Sequence, residues 1–263
     1  MKKLIRSRSA AQVCKALSIV LFLAIWEILV RLNVLTPLMF GNLPAPTRVL
    51  EQLSETLADK EYYLHIGYSC VRVLIGCVIA VILGVFFGIA IALNWFFEYF
   101  FRPIFELLRP IPQITWIPIS ILLFPTIEGS IRFITFLGAF FPILVNTIAG
   151  VRSISPNLIA AAVSMHANHR QLIWHVYLPG ALPHIFPGLS VGMGTSWMSV
   201  IAAEMISGKY GIGYFTWTSY NLMEYENTII GMFTIGVLGL LSFVLLNLIE
   251  RKVLRYQETE VRR

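Results

Sequence analysis

The sequence predicts an all-α polytopic membrane protein with about six transmembrane helices. Of 263 residues, 57% are hydrophobic and 13% charged, against roughly 45–50% and about 25% in soluble domains. A soluble chain of this length needs more polar surface than that. Charged residues are also absent between Arg72 and Glu98, Arg109 and Glu128, Arg132 and Arg152, Arg170 and Glu204, and Glu226 and Glu250. These gaps hold 25, 18, 19, 33 and 23 residues, and about 20 apolar residues in a helix cross a bilayer core of roughly 30 Å. Finally, the runs do not alternate as barrel strands do, so only helices would satisfy their backbone groups in lipid.

The first span is read at about 13–32, after a basic start holding Lys2, Lys3, Arg6, Arg8 and Lys15. It carries Glu27 and Arg31, which are i,i+4 neighbours able to neutralise each other near a helix end. No small-residue cleavage site follows Leu32, so this helix reads as an uncleaved anchor. Next comes a polar stretch in which Val49, Leu50, Leu53 and Leu57 recur at helical spacing behind Thr47 as N-cap, predicting a short amphipathic helix on the outer membrane surface.

The second span, about 69–94, carries Gly76, Ala80, Gly84, Gly88 and Ala92, a small-residue stripe that permits close backbone approach. A packing face within one subunit is the main reading, and a face that slides during transport is the other. Cys70 and Cys77 lie seven apart on one side of this span and are expected to pack, not bond. Spans three and four are read at about 103–125, which contains Pro110, Pro112 and Pro118, and at 131–150. Spans five and six are read at about 186–206 and 227–249. Gly188, Gly192 and Ser196 repeat the small-residue stripe on span five. Gly208, Gly211 and Gly213 then mark either a pliable gate or an ordinary connector.

Placing both termini in the cytoplasm collects 13 Lys and Arg inside and three (Arg48, Lys60, Lys209) outside, a strong positive-inside bias. The net charge of +6 is thus a topology signal and does not indicate nucleic-acid binding. The chain divides into a cytoplasmic basic tail (1–12), a first transmembrane helix with a periplasmic amphipathic segment (13–62), a transmembrane domain (63–250) and a cytoplasmic tail (251–263).

No catalytic pattern survives inspection. Gly188-Leu189-Ser190-Val191-Gly192 matches a nucleophile-elbow string, but it falls inside an apolar helix where a strand-to-helix turn is required. His166, His169 and His175 have no carboxylate or Cys in the same segment to complete a metal site. No phosphate-binding Gly-x-x-x-x-Gly-Lys string occurs, so the chain has no visible ATPase of its own.

The longest inside loop, about 152–185, is predicted helical over Leu158–Met165 and Gln171–Tyr177, with Pro179 and Pro183 ending the run. Its small and apolar residues cannot form a core and point to a protein partner; the plainer alternative is a helix lying flat on the membrane. Ala161-Ala162, Ala167 and Leu178-Pro179-Gly180-Ala181-Leu182-Pro183 resemble the "EAA" loop of bacterial ABC importer permeases. Arg109-Pro110-Ile111-Pro112-Gln113-Ile114-Thr115-Trp116-Ile117-Pro118 and Ile201-Ala202-Ala203-Glu204-Met205-Ile206 resemble the nitrate/sulfonate/taurine branch. The likeness covers about 43–250. Ala160 stands where the family usually has the Glu of EAA, and His166 where it usually has Gly.

The resemblance implies the type I ABC importer permease fold, the bacterial inner membrane and a coupling-helix loop. It implies two ATP-binding subunits that hold ATP and Mg, so that this chain itself has no cofactor and is no enzyme. It further implies a second permease copy, with a homodimer preferred, and a periplasmic or lipid-anchored substrate-binding protein. The ATPase contact is then expected at Ala161, Ala162, Met165, His166, Ala167, Arg170, Gln171, Leu172, Leu178 and Pro179. Polar groups in the spans, Arg109, Trp116, Asn146, Ser196, Trp197, Ser199 and Glu204, are the pathway candidates; helix-to-helix hydrogen bonding is the competing role for each. The branch favours a small anion such as a sulfonate, taurine, nitrate or bicarbonate. A stand-alone secondary transporter would need internal repeats and intramembrane ion sites, and an intramembrane enzyme would need a catalytic pair; neither is visible.

Overall fold

A computed structural model describes residues 8–32 and 42–255. The start of the basic N-terminal tail and the end of the C-terminal tail lie outside the described residues. Among the described residues, four helices are long and apolar enough to cross a membrane: Lys60–Leu93, Ile127–Arg152, His169–Ser207 and Tyr225–Val253. They are joined by α1 (Arg8–Arg31) and by shorter pieces, and no strand occurs among the described residues. Glu27 pairs with Arg31 on α1, as their spacing predicts.

The amphipathic helix is α2, Pro46–Ala58. Thr47 is not its N-cap. Ala45 takes that position with Pro46 in the first turn, where a missing N–H and a fixed φ cost nothing. The Thr47 hydroxyl instead donates to Glu27 Oε1 at 3.1 Å, tying α2 to α1. Helix α3, Lys60–Leu93, starts nine residues before the span read from the charge gap, because Asp59 caps it by accepting the Glu61 N–H at 2.9 Å. At about 1.5 Å per residue, its 34 residues run roughly 51 Å. Val49 of α2 and Tyr62 of α3 share a small core with Ile212 and Ile230.

The third span is two pieces, not one helix. Asn94 ends α3 and caps α4, Trp95–Leu108, by accepting the Phe96 N–H at 2.8 Å. The chain breaks at Arg109–Pro112, passes a 3-10 turn at Gln113–Trp116 and resumes as α5, Ile117–Leu123. Pro110 and Pro112 lack the N–H groups that would continue the helix, and each restricts the residue before it. The piece after the break packs on α6, Ile127–Arg152, which Thr126 caps through the Gly129 N–H at 3.1 Å.

Helix α6 is the hub, with α3 on one side and α9 (Leu178–Ser207) on the other. The small-residue stripes explain the contact. A Cβ at Gly84 would sit 2.9 Å from Ile143 Cγ2, one at Gly88 2.6 Å from the Thr147 side chain, and one at Gly192 3.1 Å from the Ala139 carbonyl oxygen. Both stripes are therefore packing faces within one chain. Cys77 is buried 3.4 Å from Ser196 Oγ, and all three cysteines are free.

The prolines of the long loop do not end its second helix. The helix begins at His169 and runs on to Ser207. The Pro179 ring and its missing N–H are accommodated by a π turn over Ile173–Tyr177 (α8, His169–Leu172, precedes it), in which the Leu178 N–H reaches back to the Ile173 carbonyl. One extra residue per turn shifts the hydrogen-bond register just before the proline. Pro183 and Pro187 lie within α9 itself. The chain closes with α10 (Ile212–Asn221) and α11 (Tyr225–Val253), packed on each other and on α9.

Candidate functional site

The loop that joins α6 to α9 stands away from the bundle. Its first helix, α7, is Pro156–Ser164 and has no buried residue. Leu158, Val163, Met165 and Trp174 are all exposed, Met165 at 82%. After α7 the Ala167 N–H bonds the Ala162 carbonyl at 3.1 Å and the His166 N–H bonds the Val163 carbonyl at 2.9 Å. These two bonds form a Schellman turn, with His166 in its left-handed position at φ 61°. Glycine serves that position without strain, and His is among the non-glycine residues that tolerate it. Here is the physical meaning of the His at this place in the loop.

Asn168 then starts the next helix with a full capping box. Its side chain accepts the Gln171 N–H at 2.9 Å, while the Gln171 side chain accepts the Asn168 N–H at 2.8 Å. Ala161, Met165, His166, Arg170 and Gln171 face outward, whereas Ala162, Ala167, Leu172, Leu178 and Pro179 are half-buried. The loop is thus a stiff helix–turn–helix with an apolar outer surface.

The seven in-span candidates do not converge. Asn146 donates to the Pro142 carbonyl at 2.8 Å, and Ser199 to the Thr195 carbonyl at 2.7 Å, both within their own helices. Ser196 donates to the Thr135 carbonyl at 2.9 Å, and Trp197 Nε1 to Ser242 Oγ at 3.2 Å, both between helices. Trp116 is half-buried against the main core. Arg109 is exposed at the break after α4.

Glu204 is fully enclosed, at the end of the bundle opposite the loop. Arg72 Nη1 donates to Glu204 Oε1 at 2.8 Å and to the Tyr210 carbonyl at 2.6 Å. Its other edge grips Glu128 in a two-pronged pair, one bond being Nε to Oε2 at 3.1 Å. Ser69 Oγ donates to the Glu204 carboxylate at 2.8 Å, and the Gly213 N–H adds a bond at 2.9 Å.

Three N–H groups at the start of α10 are received by side chains of other helices: the N-cap Gly211 by His65 Nδ1 at 3.0 Å, Ile212 by Ser69 Oγ at 2.9 Å and Gly213 by Glu204. A carboxylate at a helix start is also favoured by the helix dipole. Gly211 is required twice over, by φ 122° and because a Cβ there would overlap the Glu204 carboxylate. The Gly208–Gly213 segment is therefore a pinned turn. The sequence reading does not name Ser69 and Arg72 as partners of Glu204, or Glu128 as the second partner of Arg72, although a signal exists: Arg72, Glu128 and Glu204 each border a charge gap.

Two cavities open near the loop end. One of about 770 Å³ lies between α3 and α9 and is largely apolar, lined by residues such as Val85, Phe86, Trp174 and Leu182. The other, about 310 Å³, lies between α4 and α6 and is lined by Arg102, Glu106, Arg109 and Arg152 over an apolar floor. Arg152 bonds Glu98 at 2.8 Å, and Arg102 bonds Glu98 at 2.9 Å and Glu106 at 2.7 Å. Arg152 and Arg102, in that order, hold the Glu98 carboxyl below the usual carboxylate range.

Residues 80–255 match the family described as binding-protein-dependent transport system inner membrane component. The chain is similar to the nitrate import permease protein NrtB of Synechocystis sp., with 33% identity over 86% of this chain and 83% of the relative. It is similar to the taurine transport system permease protein TauC of Escherichia coli, with 30% identity over 90% and 86%. It also resembles the bicarbonate transport system permease protein CmpB of Synechococcus elongatus, with 35% identity over 75% and 71%.

Proposed function

The chain belongs to the family of binding-protein-dependent transport system inner membrane components, and we propose that it forms the pathway of an ATP-driven importer for a small anion. The names of its relatives support a small solute bearing an oxyanion group: they name nitrate, bicarbonate and taurine, whose sulfonate is joined to an ammonium. At 30 to 35% identity to each, the overall likeness favours none of these solutes over another.

In this reading the loop end faces the cytoplasm and both termini lie there with it. Two copies of the chain sit side by side, and each inserts α7 and the turn after it into a groove on an ATP-binding subunit. Those subunits hold the ATP and Mg. A separate binding protein delivers the solute at the Glu204 end.

ATP-driven closure of the motor pair pushes the two loops together and turns the helices joined to them. The observation that carries this is the exposed apolar helix α7 and Met165 just past its end, at 82% exposure. Apolar surface of that kind on a stiff projection fits a partner's groove. A lever also has to be rigid, and the Schellman turn, the capping box and the unbroken helix from His169 to Ser207 supply that. The break at Arg109–Pro112 leaves the α4–α5 segment able to shift against α6.

The test is reconstitution. The chain is solubilised gently with its ATP-binding subunit, and uptake of nitrate, taurine and bicarbonate is measured in liposomes with the binding protein present. Co-purification and uptake strictly dependent on ATP are expected. Uptake by this chain alone, driven by an ion gradient, would make it a secondary transporter instead.

A further inference from the structure

The α4–α6 cleft holds an imbalance of charge that neither the bundle core nor the loop uses. Arg102 and Arg109 are seven residues apart on α4, two helical turns, and so share a face. Arg152 closes the cleft from the last turn of α6. Glu98 and Glu106 between them balance Arg102 and Arg152. Arg109 makes no side-chain hydrogen bond or ion pair among the described residues, so the cleft carries one uncompensated guanidinium.

Its surroundings raise what that charge can do. Phe105, Phe141, Leu144 and Ile148 form the floor, and a low-dielectric wall behind a cation concentrates its field toward the opening. Helix α4 stops at Arg109 because Pro110 follows, so this guanidinium sits where the chain bends and the cleft widens. The cleft extends along α6 from Arg152 to Phe141, eleven residues or about 16 Å of helix. Its volume of about 310 Å³ is at the small end of ligand sites, which run roughly 300–1,000 Å³. The larger cavity beside α9 has an apolar lining and offers an anion little.

We infer that this cleft is a binding site for a small soluble oxyanion, with Arg109 as the contacting cation and Arg102 and Arg152 held ready behind it by Glu98 and Glu106. A planar guanidinium offers two parallel N–H donors to the two oxygens of a nitrate, carboxylate or sulfonate group. The identification of that anion with the transported solute rests on the proposed function; the binding itself does not. The same donors would also suit a phospholipid headgroup, and the cleft's depth along α6 and small volume favour the soluble ion.

The experiment is residue-specific protection in the assembled complex, in phosphatidylcholine nanodiscs, with phenylglyoxal as arginine reagent and peptide mass spectrometry as readout. Nitrate and methanesulfonate are the probes, against chloride, which has no pair of oxygens to accept from the guanidinium, at equal ionic strength. Modification of Arg109 is expected to slow at least fivefold with either probe, while the exposed Arg251 at the end of α11 reacts at an unchanged rate. Arg109→Gln is expected to abolish the slower, probe-dependent modification of Arg102 and Arg152 without altering assembly, since Arg109 is exposed.

Equal rates at Arg109 with and without the probes, in a complex that imports an anion, would overturn the inference and leave the proposed function standing. Protection that requires phosphatidylglycerol in the disc and ignores added anions would assign the cleft to lipid and overturn it as well. Protection by nitrate in a complex that imports no anion would uphold the site and remove the proposed function.

Discussion

Two charge clusters sit at opposite ends of the same helices and behave as opposites. Arg72, Glu128 and Glu204 join α3, α6 and α9 far from the loop, and Arg72 and Glu204 are 1% and 0% exposed. Glu98, Arg102, Glu106, Arg109 and Arg152 join α4 and α6 near the loop and are open to solvent, with one cation left over. The residue types are the same. Burial makes the difference: an enclosed charge that loses its partner costs the fold several kcal/mol, whereas an open one is hydrated, contributes little to stability and remains free to meet a ligand. One end of the bundle is thereby fixed and the other is available.

The largest expected effect breaks the enclosed cluster. Arg72→Leu leaves the Glu204 carboxylate buried beside only Ser69 and the Gly213 N–H, and is expected to cost about 3–5 kcal/mol, seen as a lowered melting temperature in detergent. Arg102→Leu at the open cluster is expected to cost less than about 1 kcal/mol in the same assay. Pairing Arg72→Leu with Glu204→Leu is expected to recover part of the loss, since Glu128 is 37% exposed and can hydrate. Equal melting of the two single variants would remove the distinction between the clusters.

Met165→Glu sharpens the same contrast at the loop. Its side chain touches little, so stability is expected to stay within about 0.5 kcal/mol of the parent. Retention of the ATP-binding subunit on a column is expected to fall at least tenfold, which corresponds to about 1.4 kcal/mol. A smaller effect is expected at the Schellman turn. His166→Gly removes a left-handed strain of roughly 1–2 kcal/mol but loosens the unfolded chain, for a net gain below about 1 kcal/mol. Amide exchange over 163–168 should slow, and His166→Val should speed it.

The smallest effect is a pH dependence at the open cluster. Arg152 and Arg102 depress the Glu98 pKa in the folded chain. Its contribution is therefore complete above the unfolded value of about 4.3 and is lost as pH falls through the depressed folded value. Amide exchange in α4 is expected to quicken in that acid window in the parent and to show no such step in Glu98→Gln.

Much of this was legible in the chain before any coordinates. Gap lengths between charges located the helices, because lipid admits few unpaired charges and about 20 apolar residues cross it. The stripes at Gly76–Ala92 and Gly188–Ser196 announced close packing. The extent of the third span and the course of the chain through Pro179 were not legible. Whether a proline stops, kinks or merely shifts a helix depends on what packs around it: a π turn absorbs Pro179, while nothing bridges Pro110 and Pro112.

The sequence by itself determined the class, the number of apolar runs and the protruding loop, since each follows from composition, local periodicity or a motif read along the chain. Only the tertiary structure decided that Glu204 is held by Arg72 from 132 positions away, that Gly211 must be glycine to let that carboxylate close in, and that Arg109 alone among its neighbours stays unpaired. Those facts concern partners distant in sequence. Electrostatic pairing acts over a few ångströms of space, and no spacing along the chain records which charges folding will bring that near.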